Sequence, residues 1–462
     1  MNNLIDVLYI IAFALFIYGL MGLTGPKTAV RGNLIAAVGM GIAIIATLLT
    51  PHMSNWVLIV LGIVLGTLVG VPSARQVKMT AMPQMVALFN GVGGGAVALI
   101  AWVEFNSSHD YTGLPAYIPV TSLFAGIVGS VSFWGSLIAF GKLQETIPGR
   151  PITLGKSQQL VNLLLLAGAV ACAVIAGVGV NSEFLIIGVL VFAAVLGLAV
   201  VLPIGGADMP VVISLLNAFT GLSAAATGLA LDNTAMIVAG MIVGASGSIL
   251  TNLMATAMNR SIPAIIAGGF GGVTVAGGDS GGSGNQTVRQ TSASDAAIQM
   301  AYASQVVVVP GYGMAVSQAQ HAVREMAKLL EAKGVEVKYA IHPVAGRMPG
   351  HMNVLLAEAD VPYEQLKEMD DINGEFNRTD VALVIGANDV TNPAARTNPG
   401  SPIFGMPILN VDESRSIIVL KRSMNSGFAG IDNELYYDPK TAMLFGDAKK
   451  SVGEITEELK SL

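Results

Sequence analysis

The chain has 462 residues, of which 53% are hydrophobic and only 12% are charged. Soluble domains carry about 25% charged residues, so this composition excludes an ordinary soluble protein and indicates a membrane protein. The formal net charge of -6 gives no sign of nucleic-acid binding, and the single cysteine, Cys172, excludes an intrachain disulfide.

The first 260 residues contain nine apolar runs. A membrane-spanning helix needs about 17–25 such residues, and each run reaches or nearly reaches this length. We therefore predict a polytopic all-α membrane domain, with about nine transmembrane helices, over residues 1–260. The runs lie near residues 4–23, 33–50, 55–71, 84–103, 117–141, 160–180, 184–203, 210–231 and 235–257.

Basic residues mark one side of this domain. Lys and Arg occur in alternate loops, whereas the other loops carry acidic residues such as Glu104 and Asp232. Because cytoplasmic loops are enriched in Lys and Arg, the N-terminus is predicted outside the cell and the C-terminal domain in the cytoplasm. The basic residues are Lys27, Arg31, Arg75, Lys78, Lys142, Arg150, Lys156 and Arg260.

Four polar residues lie within or beside the apolar runs: Asn90, Ser136, Asp208 and Asn217. A charge at membrane depth costs roughly 2.5–3.5 kcal/mol on insertion scales, so such residues usually face a cavity or a partner. Two interpretations stay open. Asp208 lies either within the membrane or at its cytoplasmic surface, and the asparagines either line a pathway or form hydrogen bonds between helices.

A change of composition follows the last run. From residue 268 to residue 294 the chain turns to Gly, Ser, Thr, Gln and Asn. This composition is typical of a flexible tether. We predict a linker over residues 261–294 and a soluble domain over residues 295–462.

The soluble part alternates short β-branched runs with helical patterns. This alternation predicts a Rossmann-like, doubly wound α/β sheet with ligands at the carboxyl ends of its strands. We expect helices over residues 314–330 and 352–359. The predicted strands are 306–309, 335–341, 366–369, 381–385, 417–420 and 443–445.

The turn after the first strand carries Gly311 and Gly313, and a helix is expected from Met314. Free amides at a helix N-terminus, together with the helix dipole, hold the pyrophosphate of a dinucleotide. Val316 stands where a third Gly or Ala is usual, so an ordinary β–α turn is the alternative interpretation.

Cations at strand ends indicate which dinucleotide binds. An NAD site places Asp or Glu about 20 residues beyond the glycines, but the second strand here ends without an acid. Arg347 follows that strand, and Lys421, Arg422 and Ser423 follow another. Two charges and a hydroxyl suit a 2′-phosphate, so we predict NADP(H); the alternative is a solvated surface pair.

The sequence offers no catalytic constellation. No His, Cys and carboxylate cluster has metal-ligand spacing, and no Ser/His/Asp order stands out. Hydride transfer needs no protein nucleophile, so this absence fits an NADP(H) site. We therefore predict no catalytic side chain and no metal.

Seven motifs together give the chain a close resemblance to the β subunit of proton-translocating NAD(P) transhydrogenases. The resemblance covers nearly the whole chain, and jointly the motifs are highly specific. They are residues 205–212 (Gly-Gly-Ala-Asp-Met-Pro-Val-Val), 257–261 (Ala-Met-Asn-Arg-Ser), 310–316 (Pro-Gly-Tyr-Gly-Met-Ala-Val), 342–354 (His-Pro-Val-Ala-Gly-Arg-Met-Pro-Gly-His-Met-Asn-Val), 386–389 (Gly-Ala-Asn-Asp), 421–424 (Lys-Arg-Ser-Met) and 444–449 (Leu-Phe-Gly-Asp-Ala-Lys).

The resemblance implies a proton-conducting membrane domain and an NADP(H)-binding domain, with the nucleotide reversed relative to usual Rossmann enzymes. It implies a partner α subunit that binds NAD(H), with or without transmembrane helices of its own. Hydride would pass between NADH on the partner and NADP⁺ on this chain, coupled to proton translocation. A dimer of α–β units would lie in the lipid of a bacterial cytoplasmic (inner) membrane.

The resemblance also implies roles for particular residues. We expect the redox state of the nucleotide to change the docking of the soluble domain around Asp208 and Arg260. The implied proton path and coupling residues are Asn90, Ser136, Asp208, Asn217, Gly247 and Arg260. The implied nucleotide-binding residues are Gly311, Tyr312, Gly313, Met314, Ala315, Val316, Val344, Ala345, Gly346, Arg347, Met348, Pro349, Gly386, Ala387, Asn388, Asp389, Gly405, Met406, Lys421, Arg422, Ser423, Met424, Asn425, Ser426, Gly427, Phe428, Asp447 and Ala448.

Three features depart from the family pattern, and one of them is the segment Asp412-Glu413-Ser414, where the family has a more apolar, basic segment. Many members have histidine where this chain has Asn90, and an amide cannot take up and release a proton near neutral pH. Phe428 stands where tyrosine is common, so a hydroxyl contact to the nucleotide is lost. A membrane channel or transporter with a regulatory nucleotide domain is the alternative function.

Overall fold

The computed structural model describes residues 2–23, 25–51, 53–78, 81–108, 111, 113–149, 151–180, 182–205, 208–259, 261–266, 288–347, 350–401, 403–425 and 431–462. The chain forms two compact units. One comprises Met1–Ile204 and Val212–Thr251, and the other comprises Gly205–Val211 and Asn252–Leu462.

Among the described residues, nine helices are long and apolar enough to cross a membrane. This confirms the predicted class of the N-terminal part. Several helices are longer than the apolar runs from which we predicted them, because polar residues lie in their end turns. In α2, Lys27 and Arg31 precede the predicted run. Their bounds are α1 Asn2–Gly22, α2 Pro26–Leu48, α3 Trp56–Gln76, α4 Met82–Ser107, α5 Tyr117–Leu143, α6 Gln158–Gly177, α7 Glu183–Val201, α8 Met209–Ala230 and α9 Thr234–Ala257.

Glycines bring neighbouring membrane helices into close contact. A Cβ on Gly94 of α4 would lie 2.9 Å from the carbonyl oxygen of Gly129 in α5. Such small residues let helix backbones approach closely. Helix α3 differs, because none of its residues is buried among the described parts of the chain. Its glycines Gly62, Gly66 and Gly70 recur every fourth residue and face open space.

One buried lysine connects helix ends in the first unit, Met1–Ile204 and Val212–Thr251, which we call the membrane unit. Lys142 is only 3% exposed, although the sequence placed it in a cytoplasmic loop. Its ammonium donates to the carbonyls of Leu202, at 2.5 Å, and Ile204, at 2.6 Å, just beyond the C-terminus of α7. A cation is favourable there because the carbonyl end of a helix carries partial negative charge. The prediction for Lys142 was wrong because α5 continues to Leu143.

The second unit contains a six-stranded parallel sheet with helices, which confirms the predicted Rossmann-like domain. The strand order is β3-β2-β1-β4-β5-β6, the order typical of dinucleotide-binding folds. Strand β1 lies between β2 and β4, so the order reverses at the β1–β4 pair. The strands are β1 Gln305–Pro310, β2 Glu336–Ile341, β3 Leu366–Glu368, β4 Val381–Ile385, β5 Ser416–Lys421 and β6 Thr441–Phe445.

The outer edge of β6 pairs with the segment that enters the domain. Gln290 forms a parallel bridge with Met443. The Thr291 amide donates to the Met443 carbonyl at 3.0 Å, and the Met443 amide donates to the Arg289 carbonyl at 2.7 Å. The remaining helices are α10 Ile262–Ile266, α11 Ala293–Ala301, α12 Tyr312–Val316, α13 Gln320–Ala332, α14 His351–Glu358, α15 Met369–Ile372, α16 Ala394–Thr397 and α17 Ala448–Ser461.

The single helix expected over residues 314–330 is two helices, α12 and α13. Gln318 has a positive φ of 51°. The Ala319 amide donates to the Met314 carbonyl, and the Gln318 amide donates to the Ala315 carbonyl, each at 3.1 Å. This pair of hydrogen bonds is a Schellman motif, which ends a helix. The prediction of one continuous helix was wrong because glutamine gives no sequence signal for a left-handed residue.

Candidate functional site

A cavity of about 650 Å³ opens at the carboxyl ends of the strands, where the strand order reverses. Five segments line it, and they follow β1, β2, β4, β5 and β6. Ligands of open α/β sheets bind in this kind of crevice. The lining residues are Gly311, Tyr312, Gly313, Val316, Ser317, Val344, Ala345, Gly346, Gly386, Ala387, Asn388, Asp389, Val390, Leu420, Lys421, Arg422, Ser423, Asn425, Gly446, Asp447 and Ala448.

Three glycines form the floor of the cavity between β1 and β4. A Cβ on Gly313 would lie 2.7 Å from the Cα of Gly386, and Gly386 has a positive φ of 64°. The Gly311 amide donates to the Ile385 carbonyl at 2.9 Å, and the Gly313 amide to the Gly386 carbonyl at 3.0 Å. These glycines therefore permit two strand ends to approach, and both of these amides are used within the protein rather than left free for a pyrophosphate.

The loop after β2 is held by two buried histidines. The Val344 amide donates to Nδ1 of His342 at 3.2 Å, so Nε2 carries the hydrogen and donates to the Pro407 carbonyl at 2.8 Å. The Arg347 amide donates to Nδ1 of His351 at 3.0 Å. Burial lowers the pKa of each histidine to about 4, and the Arg347 charge adds to this effect at His351. Both rings therefore act as neutral anchors near pH 7.

Cations flank the cavity on two sides. The guanidinium of Arg347 lies 4.3 Å from the ring centre of Tyr312, and the ammonium of Lys421 lies 4.5 Å from that of Tyr436. Burial lowers the pKa of Lys421, while the carboxylates of Asp432 and Asp389 oppose this change. Arg422, directly after Lys421, is exposed. The wall that carries Lys421 and Arg422 can therefore receive an anionic group.

Most of the predicted nucleotide-binding residues come together around this cavity. Among the exceptions in the described chain, Met314 and Ala315 are buried next to the first turn, and Met406 belongs to the core under the sheet. Ser317, Val390, Leu420 and Gly446 line the cavity but are not among the predicted nucleotide-binding residues. Arg347, Gly405 and Met424 are also not among the lining residues, and Met348, Pro349, Ser426, Gly427 and Phe428 lie outside the described residues.

Two of the predicted membrane residues are in direct contact. The side-chain amide of Asn90 donates to the hydroxyls of Ser136, at 2.9 Å, and Ser132, at 3.3 Å. The Ser132 hydroxyl lies 2.5 Å from that of Thr220, so this polar cluster joins α4, α5 and α8. The buried Oδ1 of Asn90 has no hydrogen-bond partner among the described residues.

The other predicted membrane residues are Asn217, Gly247, Asp208 and Arg260. Asn217 is half-buried on α8. The Gly247 carbonyl accepts hydrogen bonds from Thr251, at 2.7 Å, and Ser214, at 3.3 Å. Asp208 is half-buried immediately before α8, and Arg260 lies outside the described residues.

No group of three or more His, Cys, Asp and Glu side chains in the described parts of the chain is placed to hold a metal ion.

Comparison with known proteins gives one consistent result. Residues 5–458 match the family described as NAD(P) transhydrogenase beta subunit. Two relatives from Rhodospirillum rubrum, each named NAD(P) transhydrogenase subunit beta, are 49% identical to this chain over 466 aligned positions, and the alignments cover 99% of both sequences. The chain therefore belongs to the NAD(P) transhydrogenase beta subunit family.

Proposed function

We propose that this chain binds NADP(H) in the cavity at the β1–β4 reversal and exchanges hydride with NAD(H) on a partner alpha subunit. The exchange is coupled to proton translocation across a bacterial cytoplasmic membrane. The observation that carries the proposal is one cavity, about 650 Å³ in volume, with Lys421 and Arg422 on its wall. Family membership supports a nicotinamide-nucleotide oxidoreductase with an alpha-subunit partner.

The wall after β5 favours NADP(H) over NAD(H). Lys421, Arg422 and Ser423 supply two positive charges and a hydroxyl, which together suit a phosphate. At the end of β2, where an NAD site would place a carboxylate, the chain has the neutral ring of His342. The 2′-phosphate of NADP(H) is the group that this arrangement selects.

The residues around the cavity bind and orient the nucleotide. NADP(H) supplies the nicotinamide that accepts or donates hydride, so the reaction needs no nucleophile from the protein. The packed glycines Gly311, Gly313 and Gly386 keep the floor free of side chains. The loop at 344–346, anchored through His342 and His351, forms one wall.

The Asn90 cluster supports a proton path through the membrane unit. An unpartnered acceptor is costly inside an apolar unit, so Oδ1 of Asn90 is suited to receive a water molecule or another proton donor. Asn90 itself does not titrate near pH 7, and Asp208 is the carboxyl group that we assign to coupling, with Ser136, Asn217, Gly247 and Arg260. A membrane potential supplies about 2.3 kcal/mol per charge per 100 mV, enough to drive one hydride exchange in a chosen direction.

Helix α3 supports a partner that itself spans the membrane. Its glycine row at Gly62, Gly66 and Gly70 faces open space, whereas Gly94 and Gly129 pack against neighbouring helices. We propose that a transmembrane helix of the alpha subunit packs there, within a dimer of α–β units surrounded by lipid. From the basic residues in alternate loops, we also propose that the N-terminus lies outside the cell and the nucleotide domain in the cytoplasm. A cysteine at Gly66 that fails to crosslink to the alpha subunit would count against this contact.

The decisive experiment measures the affinities of NADPH and NADH for the full-length chain in detergent. We expect NADPH to bind at least about tenfold more tightly than NADH. Arg422→Ala is expected to remove most of this preference, since a charged hydrogen bond contributes about 1.5–3 kcal/mol. The matched control is Arg415→Ala, because Arg415 immediately precedes β5, at the strand end opposite Arg422, and is 72% exposed.

Equal affinity for both nucleotides, or no binding, would refute the assignment of the cavity. Binding of NADPH without hydride exchange in the α–β complex would instead favour a transporter or channel that a nucleotide regulates.

A further inference from the structure

The segment between β5 and β6 places two buried side chains behind the cavity. Asn433 is fully buried, and Tyr436 is 1% exposed. Neither residue lines the cavity, but both contact residues that do. They belong to the short stretch at 431–437, which carries no nucleotide-binding signal in the sequence.

Both side chains hold Asn388, which follows β4. The Asn433 side-chain amide donates to the Asn388 backbone carbonyl at 3.0 Å. The Tyr436 hydroxyl donates to Oδ1 of Asn388 at 2.5 Å. With Oδ1 so engaged, the Asn388 amide nitrogen points toward Asp389 and donates to its carboxylate at 3.1 Å. Tyr436 therefore fixes the orientation of one wall of the cavity.

The ring of Tyr436 also contacts Lys421, at the end of the neighbouring strand β5. The ammonium of Lys421 lies 4.5 Å from the centre of this ring, a distance typical of a cation–π interaction. A lysine side chain is flexible, and holding it in place before binding reduces the entropy lost when an anion arrives. The ring therefore keeps the Lys421 charge at the strand end.

We infer that Tyr436 is a positioning residue that sets the affinity and the selectivity of the cavity for a nucleotide bearing a 2′-phosphate. Its hydroxyl positions Asn388, and its ring positions Lys421. This inference rests on the proposed function, because it assigns to Lys421 the recognition of that phosphate.

The test separates the hydroxyl from the ring. Affinities of NADPH and NADH are measured for the full-length chain in detergent, beginning with the wild type. Tyr436→Phe is expected to weaken both nucleotides about fivefold, the effect of one hydrogen bond, and to leave their ratio unchanged. Tyr436→Leu is expected to reduce the preference for NADPH at least about fivefold, because the cation–π contact is also lost. Tyr339→Phe is the control, since Tyr339 is equally buried but lies in β2.

A second background tests whether the ring acts through Lys421. In a Lys421→Met protein, adding Tyr436→Leu is expected to cause no further loss of preference. A loss as large as in the wild-type background would overturn the inference. If Tyr436→Leu does not fold, Tyr436→Phe decides alone, and an affinity change below twofold for both nucleotides overturns it.

The wild-type measurement distinguishes the two levels of the proposal. A wild type that does not prefer NADPH overturns the proposed function, and this inference with it. A wild type that prefers NADPH, with Tyr436 variants that match it, overturns this inference alone.

Discussion

The side-chain amide of Asn90 donates a 2.9 Å hydrogen bond to the hydroxyl of Ser136, joining α4 to α5 inside the membrane unit. Both residues are at least nine-tenths buried. The contact shows that two polar residues from separate apolar runs meet in one place. It also shows that the group at position 90 is a neutral amide held between two hydroxyls.

A histidine at position 90 is expected to change the pH dependence of coupling. Asn90→His introduces a group with an ordinary pKa near 6.5, whereas the amide has none in this range. Proton-coupled turnover of the α–β complex in vesicles is therefore expected to gain a pH-dependent inflection that the wild type lacks. Asn162→His on α6 serves as the control. A profile identical to that of the wild type would show that position 90 does not exchange the transported proton.

A methyl group on Gly386 is expected to destabilise the cavity floor. Its Cβ would lie 2.7 Å from the Gly313 nitrogen, and the residue has a φ of 64°. Backbone strain and overpacking together are expected to lower the free energy of unfolding by about 2–5 kcal/mol. NADPH binding is expected to be lost as well. Gly334→Ala is the matched control, because Gly334 has a φ of 88° with open space around it. The control is expected to lose only about 1–2 kcal/mol in thermal unfolding, and equal losses would contradict the close packing of the floor.

Acid is expected to destabilise the nucleotide domain through Glu375. Partial burial acts to raise its pKa, but hydrogen bonds from Lys338, Arg378 and Gln305 outweigh it and lower the pKa of Glu375 to about 2 from an ordinary 4.5. The stabilisation is present above the unfolded pKa and is lost as the pH falls from about 4.5 toward 2.

Glu375→Gln is expected to lower stability at pH 7 by about 1 kcal/mol and to flatten its dependence on pH below 5. Thermal unfolding across this pH range checks the result. Glu325→Gln is the control, because Glu325 is 58% exposed in its pair with Lys460. If both variants keep the acid response of the wild type, Glu375 is not its source.

Loss of the Lys142 ammonium is expected to destabilise the membrane unit. In Lys142→Met, the carbonyls of Leu202 and Ile204 lose their charged donor, so we expect the free energy of unfolding to fall by about 2–3 kcal/mol. Lys142→Arg keeps the charge and is expected to retain part of the stability that Lys142→Met loses. Thermal unfolding in detergent compares these variants with Lys78→Met, whose lysine is exposed. A Lys142→Met protein as stable as the control would mean that the carbonyls find other donors.

The membrane helices and the sheet could be predicted because their signals are strong and local. Hydropathy marks each span, and the β-branched runs mark buried strands such as β1 and β4. Most residues of the cavity could also be predicted from their place after a strand, because the carboxyl ends of parallel strands lie at the same edge of the sheet. The residues after β5 thus came to the same site as those after β1.

The remainder depended on contacts between distant residues. Gln318 ends a helix in the left-handed conformation, which a glutamine in the sequence does not predict. Lys142 is a loop lysine by charge pattern, yet it is buried because two carbonyls 60 and 62 residues away accept its hydrogens. Tyr436 acquires its role from Asn388, 48 residues earlier. No local pattern contains such pairings.

The bridge between Gln290 and Met443 has a consequence for how the protein is made. Synthesis proceeds from the N-terminus, so Gln290 leaves the ribosome about 150 residues before its partner strand. Helices α1 to α9 precede Gln290 in the chain, so they are synthesised while the edge of the sheet is still open. Long-range pairing of this kind slows folding. A chain that ends before β6 would therefore leave residues 289–291 without their partner strand.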